Sequence, residues 1–292
     1  MVVAFGLIHF IPGDPAVLML GDMATEDNIK QLHARLGLDR SLPEQFLLYV
    51  SRVVHGDLGT SIINDRPVLG FIELSLPVTL WLLGVSFAVA LCLAVPLGVV
   101  AAVYRPTWFG QLFRIVTSIS LSTPTFFAGL MGILVFAIAL KVAPVAGYAY
   151  EFPVNLGYLW LPALINCVVI VPVLSRVIQS SVSETLEQEF VETAIVRGLP
   201  RLVIIWQYLL RPSLAPAVSL AGYMIGQGLA ASVVTEVVFN LPGIGTTLIG
   251  AVTRRDYPMV QGIVLVFGLI VVLTSYVSEL TSAWLDPRTR SS

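Results

Sequence analysis

Charge is what this chain of 292 residues most lacks: Asp, Glu, Lys and Arg together make up 12% of it, against about 25% in a soluble domain. With 57% hydrophobic residues and a mean hydropathy of +0.88, the composition is that of a polytopic membrane protein. The formal net charge of −2 says nothing useful about nucleic acid, and no nucleic-acid partner is expected. Cysteine is scarce as well. Cys92 and Cys167 both sit in apolar runs, which excludes a disulfide framework or a metal knuckle and reads as small packing residues. The three histidines, His9, His33 and His55, are scattered, so neither a metal site nor Ser/His/Asp hydrolysis is indicated. No Gly-x4-Gly-Lys-Ser/Thr string occurs, which excludes nucleotide binding of the P-loop kind. Gly243, Gly245 and Gly250 approach a dinucleotide fingerprint. They follow an apolar run instead of a strand and lack the acidic partner downstream. A non-catalytic membrane chain is expected.

What is present is a series of long apolar runs. Five are long enough to cross a bilayer: Leu76 to Tyr104, Leu112 to Leu140, Tyr158 to Ile178, Leu214 to Val234, and Pro258 to Ala283. An opening apolar stretch, Val2 to Ile11, has about half the length of a span. It lacks the basic flank and small-residue cleavage site of a signal peptide, and is read as part of a truncated first transmembrane helix (1–12). The expected fold is therefore all-α: a polytopic transmembrane bundle of five full spans plus that partial one. Residues 13–75 form the longest polar region and read as an extracytoplasmic amphipathic-helix segment; residues 76–292 form the transmembrane core. Within the former, Thr25 is placed to cap a helix carrying Ile29, Leu32 and Leu36 and closed by Gly37. Pro43 opens a second helix with Phe46, Leu47, Val50, Val53 and Val54 at helical spacing.

The short loops set the orientation. Arg105, Arg114, Arg176, Arg197, Arg201, Arg211, Arg288 and Arg290 fall on one side, while Lys141, Arg254 and Arg255 fall on the other. The first side, with the C-terminus, is expected to be cytoplasmic. Ionisable residues within the runs (Arg114, Arg176, Glu236 and Glu279) lie toward their ends, and none places a carboxylate at mid-span. A proton-driven carrier would be expected to have one there. Pro124, with Ser122 and Thr123 beside it, is a candidate pathway-lining kink, because proline leaves a carbonyl without its helical donor. The same hydroxyls could equally satisfy a packing kink. Gln227, between Gly226 and Gly228, is a weaker pathway candidate, and Gly222 and Gly226 are spaced for close helix packing.

One cytoplasmic loop, 180–213, is polar where its neighbours are apolar. It reads as helix, sharp turn, helix: Phe190, Ala194 and Arg197 fall near one face, Gly198 can take the positive φ that closes a helix, and Pro200 suits the first turn of the next. Residues Glu189, Phe190, Val191, Thr193, Ala194, Arg197, Gly198 and Leu199, then Leu210, Arg211, Leu214 and Pro216, resemble the ATPase-coupling loop of membrane subunits of bacterial ATP-binding-cassette importers, in the dipeptide/oligopeptide/nickel permease family. Tyr208 stands where that family usually has His, and Pro212 where it has Asn. Three further strings resemble the same family in order: Glu236 to Gly245, Arg255 to Gln261, and Leu285 to Arg288.

The resemblance implies a multi-pass permease of the bacterial inner membrane, serving binding-protein-dependent import of di- or oligopeptides, with nickel or another small solute as alternative. It implies a homologous second permease, two ATPase subunits that carry ATP and Mg, and an extracytoplasmic solute-binding protein. Arg211 and the matched residues between Glu189 and Leu199 would contact the ATPase. A secondary transporter or channel, independent of any ATPase, is the competing reading; an ATPase that co-purifies with the chain discriminates the two.

Overall fold

The computed structural model describes residues 1–9, 14–20, 24–37 and 39–285. Their elements are helices, with a single isolated antiparallel bridge between Thr60 and Pro67. Four short helices come first: α1 (Val2–His9), α2 (Pro15–Leu20), α3 (Glu26–Leu36) and α4 (Leu42–Val54). The last two begin and end where local chemistry tells them to. Thr25 accepts the N–H of Asn28 at the start of α3, and Gly37 closes it in the left-handed region at φ 73°. Ser41 and Glu44 form a capping box at the start of α4, with proline in the first turn. There follow α5 (Val68–Val103), α6 (Trp108–Ser122) and α7 (Thr125–Gly132), which continues as a wider π-type stretch over Ile133–Ala139. Next come α8 (Val154–Leu186), α9 (Glu189–Val196) and α10 (Arg201–Val203), the last running through a second π-type stretch, Ile204–Leu210. The chain closes with α11 (Arg211–Val238), α12 (Ile244–Thr253) and α13 (Tyr257–Leu285).

Among the described residues, four helices are long and apolar enough to cross a membrane: α5, α8, residues Pro216–Val238 of α11 and Tyr257–Thr281 of α13. The remaining apolar run, Leu112 to Leu140, is not one helix. It is the pair α6 and α7, bent by 97° at a break, so a fifth crossing exists only if this broken pair makes it. Proline explains the break. Pro124 has no N–H to give and crowds the residue before it, and Thr123 is accordingly extended at φ −84°, ψ 119°. The hydroxyl of Thr123 donates to the carbonyl of Ile119 at 2.9 Å and that of Ser122 to the carbonyl of Ser118 at 3.0 Å, so the side chains beside the break satisfy carbonyls of the last helical turn.

The chain divides into two compact units, residues Met1–Val78 with Pro242–Leu269, and residues Thr79–Leu241 with those from Ile270 onward. In the first unit the core gathers Val68 and Ile72 from the start of α5, Ile244 and Ala251 from α12, and Met259 and Ile263 from α13. Asp256, buried between α12 and α13, accepts the hydroxyl of Ser61 and the backbone N–H of Ile62. That ties the loop before α5 to the turn between the two helices. α1 joins through its Phe5 ring, 5.3 Å from Phe46 and 5.7 Å from Tyr49 of α4, and through the carbonyl of Ala4, which accepts from Gln261 at 3.0 Å. α4 buries no residue, and Leu47 and Val54 are 67% and 71% exposed.

In the second unit α8 is the central helix. Its residues Cys167, Ile170, Leu174, Ile178 and Val182 pack with Phe87, Ala90 and Ala94 of α5 and Ala217 and Ala221 of α11. Small residues let the backbones approach, as packing between membrane helices favours. Cys167 packs here, as read from the sequence, but Cys92 is exposed and does not.

Candidate functional site

The loop 180–213 is less of a loop than its polarity indicates. Residues 180–186 are the last turns of α8, and Arg211 already opens α11. What remains between them is α9, a turn, and α10 with its π-type extension. α9 starts at Gln188, whose backbone is extended, and carries Glu189 and Glu192 in its first turn, where carboxylates complement the helix dipole. It ends in a tight reversal. Gly198 donates its N–H to Ile195 at 2.9 Å, Leu199 donates to Ala194 at 3.3 Å, and Gly198 sits at φ 74°.

Burial sorts the matched residues differently from the face read off the sequence. Val191 and Ala194 are buried, at 0% and 2% exposure, and form the inner face of α9. Phe190 is 45% exposed and Arg197 is exposed, so neither shares that face with Ala194. Three-residue spacing places Val191 and Ala194 together, and tertiary packing chooses them over Phe190. Glu189, Thr193 and Gly198 are exposed, and Leu199 is half-buried. The Thr193 hydroxyl donates back to the carbonyl of Glu189. The ring of Phe190 stacks on that of Tyr208, with centroids 6.4 Å apart and planes 29° apart. Tyr208 is thus the partner that positions Phe190 across the turn. At the base, the hydroxyls of Thr185 and Ser213 meet at 3.0 Å, both buried, and link the end of α8 to the start of α11. The side chain of Arg211 lies outside the described residues.

The same hairpin turns four apolar side chains outward that sequence matching did not single out. Ile195 (57% exposed), Val196 (81%), Leu202 (72%) and Trp206 (66%) stand on and just after the turn. Isolated exposed apolar residues are ordinary; four around one sharp turn of a polar loop make an outward apolar patch. The signal was available: these positions are apolar although the loop is otherwise polar.

The pathway candidates divide. Ser122 and Pro124 are exposed and Thr123 is half-buried at the α6–α7 break, whereas Gln227 on α11 is exposed and donates to the hydroxyl of Tyr223 at 3.2 Å. The two groups stand on separate helices. A buried polar network lies elsewhere in the second unit. Glu236 of α11 is fully buried and accepts from Thr79 of α5 at 2.6 Å and from Ser232 at 3.4 Å. One residue away, Thr235 donates to Asn166 of α8 at 2.6 Å, and Asn166 donates to Ser86 of α5 at 3.0 Å. Sequence reading placed Glu236 only at the end of an apolar run; the three-helix packing makes it interior.

Long apolar helices, a further apolar pair broken at a proline, and a polar hairpin between two of the long helices describe a multi-pass membrane protein. Residues 94–291 match the family described as binding-protein-dependent transport system inner membrane component, and residues 1–83 match the N-terminal membrane component of the same systems. The chain belongs to the binding-protein-dependent transport system inner membrane component family. It is 35% identical to an Escherichia coli protein described as a probable D,D-dipeptide transport system permease, over 98% of this chain and 92% of that one. It is 33% identical to the glutathione transport system permease protein of Pectobacterium atrosepticum, over 99% of this chain and 93% of that one. A crystal structure of an amino acid ATP-binding-cassette transporter with histidines superposes with a TM-score of 0.52, covering 80% of this chain and 97% of that chain at 14% identity. That likeness speaks for the fold alone. The chain is a permease subunit of a binding-protein-dependent importer, a multi-pass protein of the inner membrane.

Proposed function

We propose that this permease carries di- or oligopeptides, forming half of a pore completed by a second homologous permease. The peptide reading is supported by relatives named for dipeptide and glutathione transport that match nearly the whole chain. In this reading α9 and the turn at Gly198 face the cytosol and dock on one of two ATPase subunits, which bind ATP and Mg and hydrolyse the nucleotide. An extracytoplasmic binding protein delivers the solute on the side of residues 13–75.

The observation that carries the docking reading is the outward set Ile195, Val196, Leu202 and Trp206, held on a hairpin whose inner face, Val191 and Ala194, is fully packed. A rigid hairpin with an apolar outer surface transmits a push; a floppy one would absorb it. Closure of the nucleotide sites then moves the spans attached to the hairpin, α8 and α11, between two arrangements.

Mass spectrometry of what co-purifies with the chain from gently solubilised native membranes tests this. Recovery of an ATP-binding-cassette ATPase and a second permease is the expected result. Recovery of the chain alone, or as a homo-oligomer without an ATPase, would instead favour a carrier or channel.

A further inference from the structure

α6 carries a polar line through an apolar helix. Gln111, Arg114, Ser118 and Ser122 recur at intervals of three and four, are all exposed, and at 100° per residue cover a strip of about 80°. On one side of the strip lie Phe113 and Thr117, which are buried. On the other lie Ile115, Val116 and Ile119, exposed and apolar. Such a strip faces water or solute, because a lipid-facing helix surface has no use for it.

α8 adds a charge to it. Arg176, half-buried, donates from Nε to the hydroxyl of Thr117 at 3.0 Å. Its Nη2 donates to the hydroxyl of Ser118 at 2.7 Å and to the carbonyl of Arg114 at 3.4 Å. All these acceptors are neutral. Among the described residues no carboxylate lies within ion-pairing distance of Arg176 or Arg114. The guanidinium is therefore held in one orientation by α6, with Nη1 left to donate and its charge uncompensated, and Arg114 is on the same strip. A fixed guanidinium of this kind matches a carboxylate.

We propose that Arg176, oriented by Thr117 and Ser118 and assisted by Arg114, is a station on the transport route that binds the terminal carboxylate of the peptide in transit. The proposal rests on the peptide-import reading above. Every linear peptide with a free C-terminus presents this group whatever its side chains, so the station recognises the class and not a sequence. The uncharged Ser118 and Ser122 continue the strip to the α6–α7 break, where backbone amides of the solute find hydroxyl partners.

The test uses the complete importer reconstituted in vesicles, with uptake of tri-alanine compared with that of its C-terminal amide. Arg176→Gln should lower uptake of the free acid about tenfold, the loss of one charge-assisted hydrogen-bonded pair. It should leave the amide within about twofold of the wild type, and Arg176→Lys should restore part of the acid's uptake. Equal loss for both peptides, or no loss for either, overturns the proposal. Equal loss accompanied by depletion of co-purified phosphatidylglycerol does so too, and assigns Arg176 to a lipid headgroup. If the wild type takes up neither peptide, the peptide reading itself has failed and the carboxylate station fails with it.

Should Arg176→Gln not fold, Gln111→Cys, on the same strip one turn from Arg114, in a background with Cys92 and Cys167 replaced by alanine gives an independent readout. Its modification by an anionic thiol reagent should be slowed by excess tri-alanine and not by the amide. Absence of protection by tri-alanine overturns the proposal.

Discussion

Thr79 donates its hydroxyl to the Glu236 carboxyl across 2.6 Å, and neither side chain is exposed to solvent. The pair joins the early part of α5 to the last turns of α11, with Ser232 one turn back on α11 donating to the same oxygen. A buried carboxyl stripped of a donor retains its desolvation penalty. Thr79→Val, which keeps the shape and removes the hydroxyl, is expected to destabilise the protein by about 1–3 kcal/mol. Thr79→Ser should recover most of that. Thermal unfolding in detergent measures both; equal stability of the Val and wild-type proteins would show that this bond contributes nothing.

Two glycines that look alike in the sequence behave differently in the fold. A Cβ added at Gly222 of α11 would lie 2.0 Å from the Oγ and 2.1 Å from the Cβ of Ser278 on α13, whereas one at Gly226 would meet Val271 at 3.4 Å. Gly222→Ala is expected to cost about 1–3 kcal/mol by forcing the helices apart. Gly226→Ala should be close to neutral, since alanine gains helix propensity there. Melting temperatures of the two variants check the contrast.

Gly198 turns the hairpin in the left-handed region, and nothing lies within 4 Å of where its Cβ would be. The penalty of a side chain is thus conformational and local, about 1–2 kcal/mol for an ordinary L residue and more for a β-branched one. Gly198→Val is expected to leave the spans folded while uncoupling ATP hydrolysis from solute uptake. Gly198→Asn, which tolerates this conformation, should stay coupled. Hydrolysis and uptake measured in parallel decide it, and coupled uptake in the Val variant would sink the coupling role.

In the segment before α5, His33 Nε2 lies 2.9 Å and 3.0 Å from the two oxygens of Asp14, and Nδ1 lies 3.4 Å from Asp39. The hydrogen bond to Asp14 raises the His33 pKa above its ordinary 6.5, and the same bond lowers that of Asp14 below 3.8. For His33 the stabilisation is complete below pH 6.5 and is lost as pH rises through the raised value. For Asp14 it is complete above pH 3.8 and is lost as pH falls through the lowered one. The clasp is therefore fullest between those two ordinary values. The stability difference between wild type and His33→Gln should be largest at mildly acid pH and vanish in alkali. It should also be small, since both side chains are partly exposed and screened. Protease resistance of this segment across pH reads the effect.

What the residues settled by themselves was local or one-dimensional. Hydrophobic run length marked the helices that can cross a membrane. Thr25 and Gly37 bounded α3, Gly198 closed α9, and Pro124 marked an interruption, because caps, positive φ and a missing N–H act within a few residues of where they stand. The extent of the interruption was not local. A kinked helix and a 97° break begin from the same proline, and only the folded structure shows which of them forms. Only the tertiary structure put Val191 and Ala194 inward instead of Phe190, separated Gly222 from Gly226, and brought Thr79 to Glu236, 157 residues away. It likewise set Arg176 against hydroxyls on α6, 58 and 59 residues earlier. Helical periodicity gives the faces that a helix has, but which face is buried, and against whose side chains, depends on neighbours that the chain reaches only by folding.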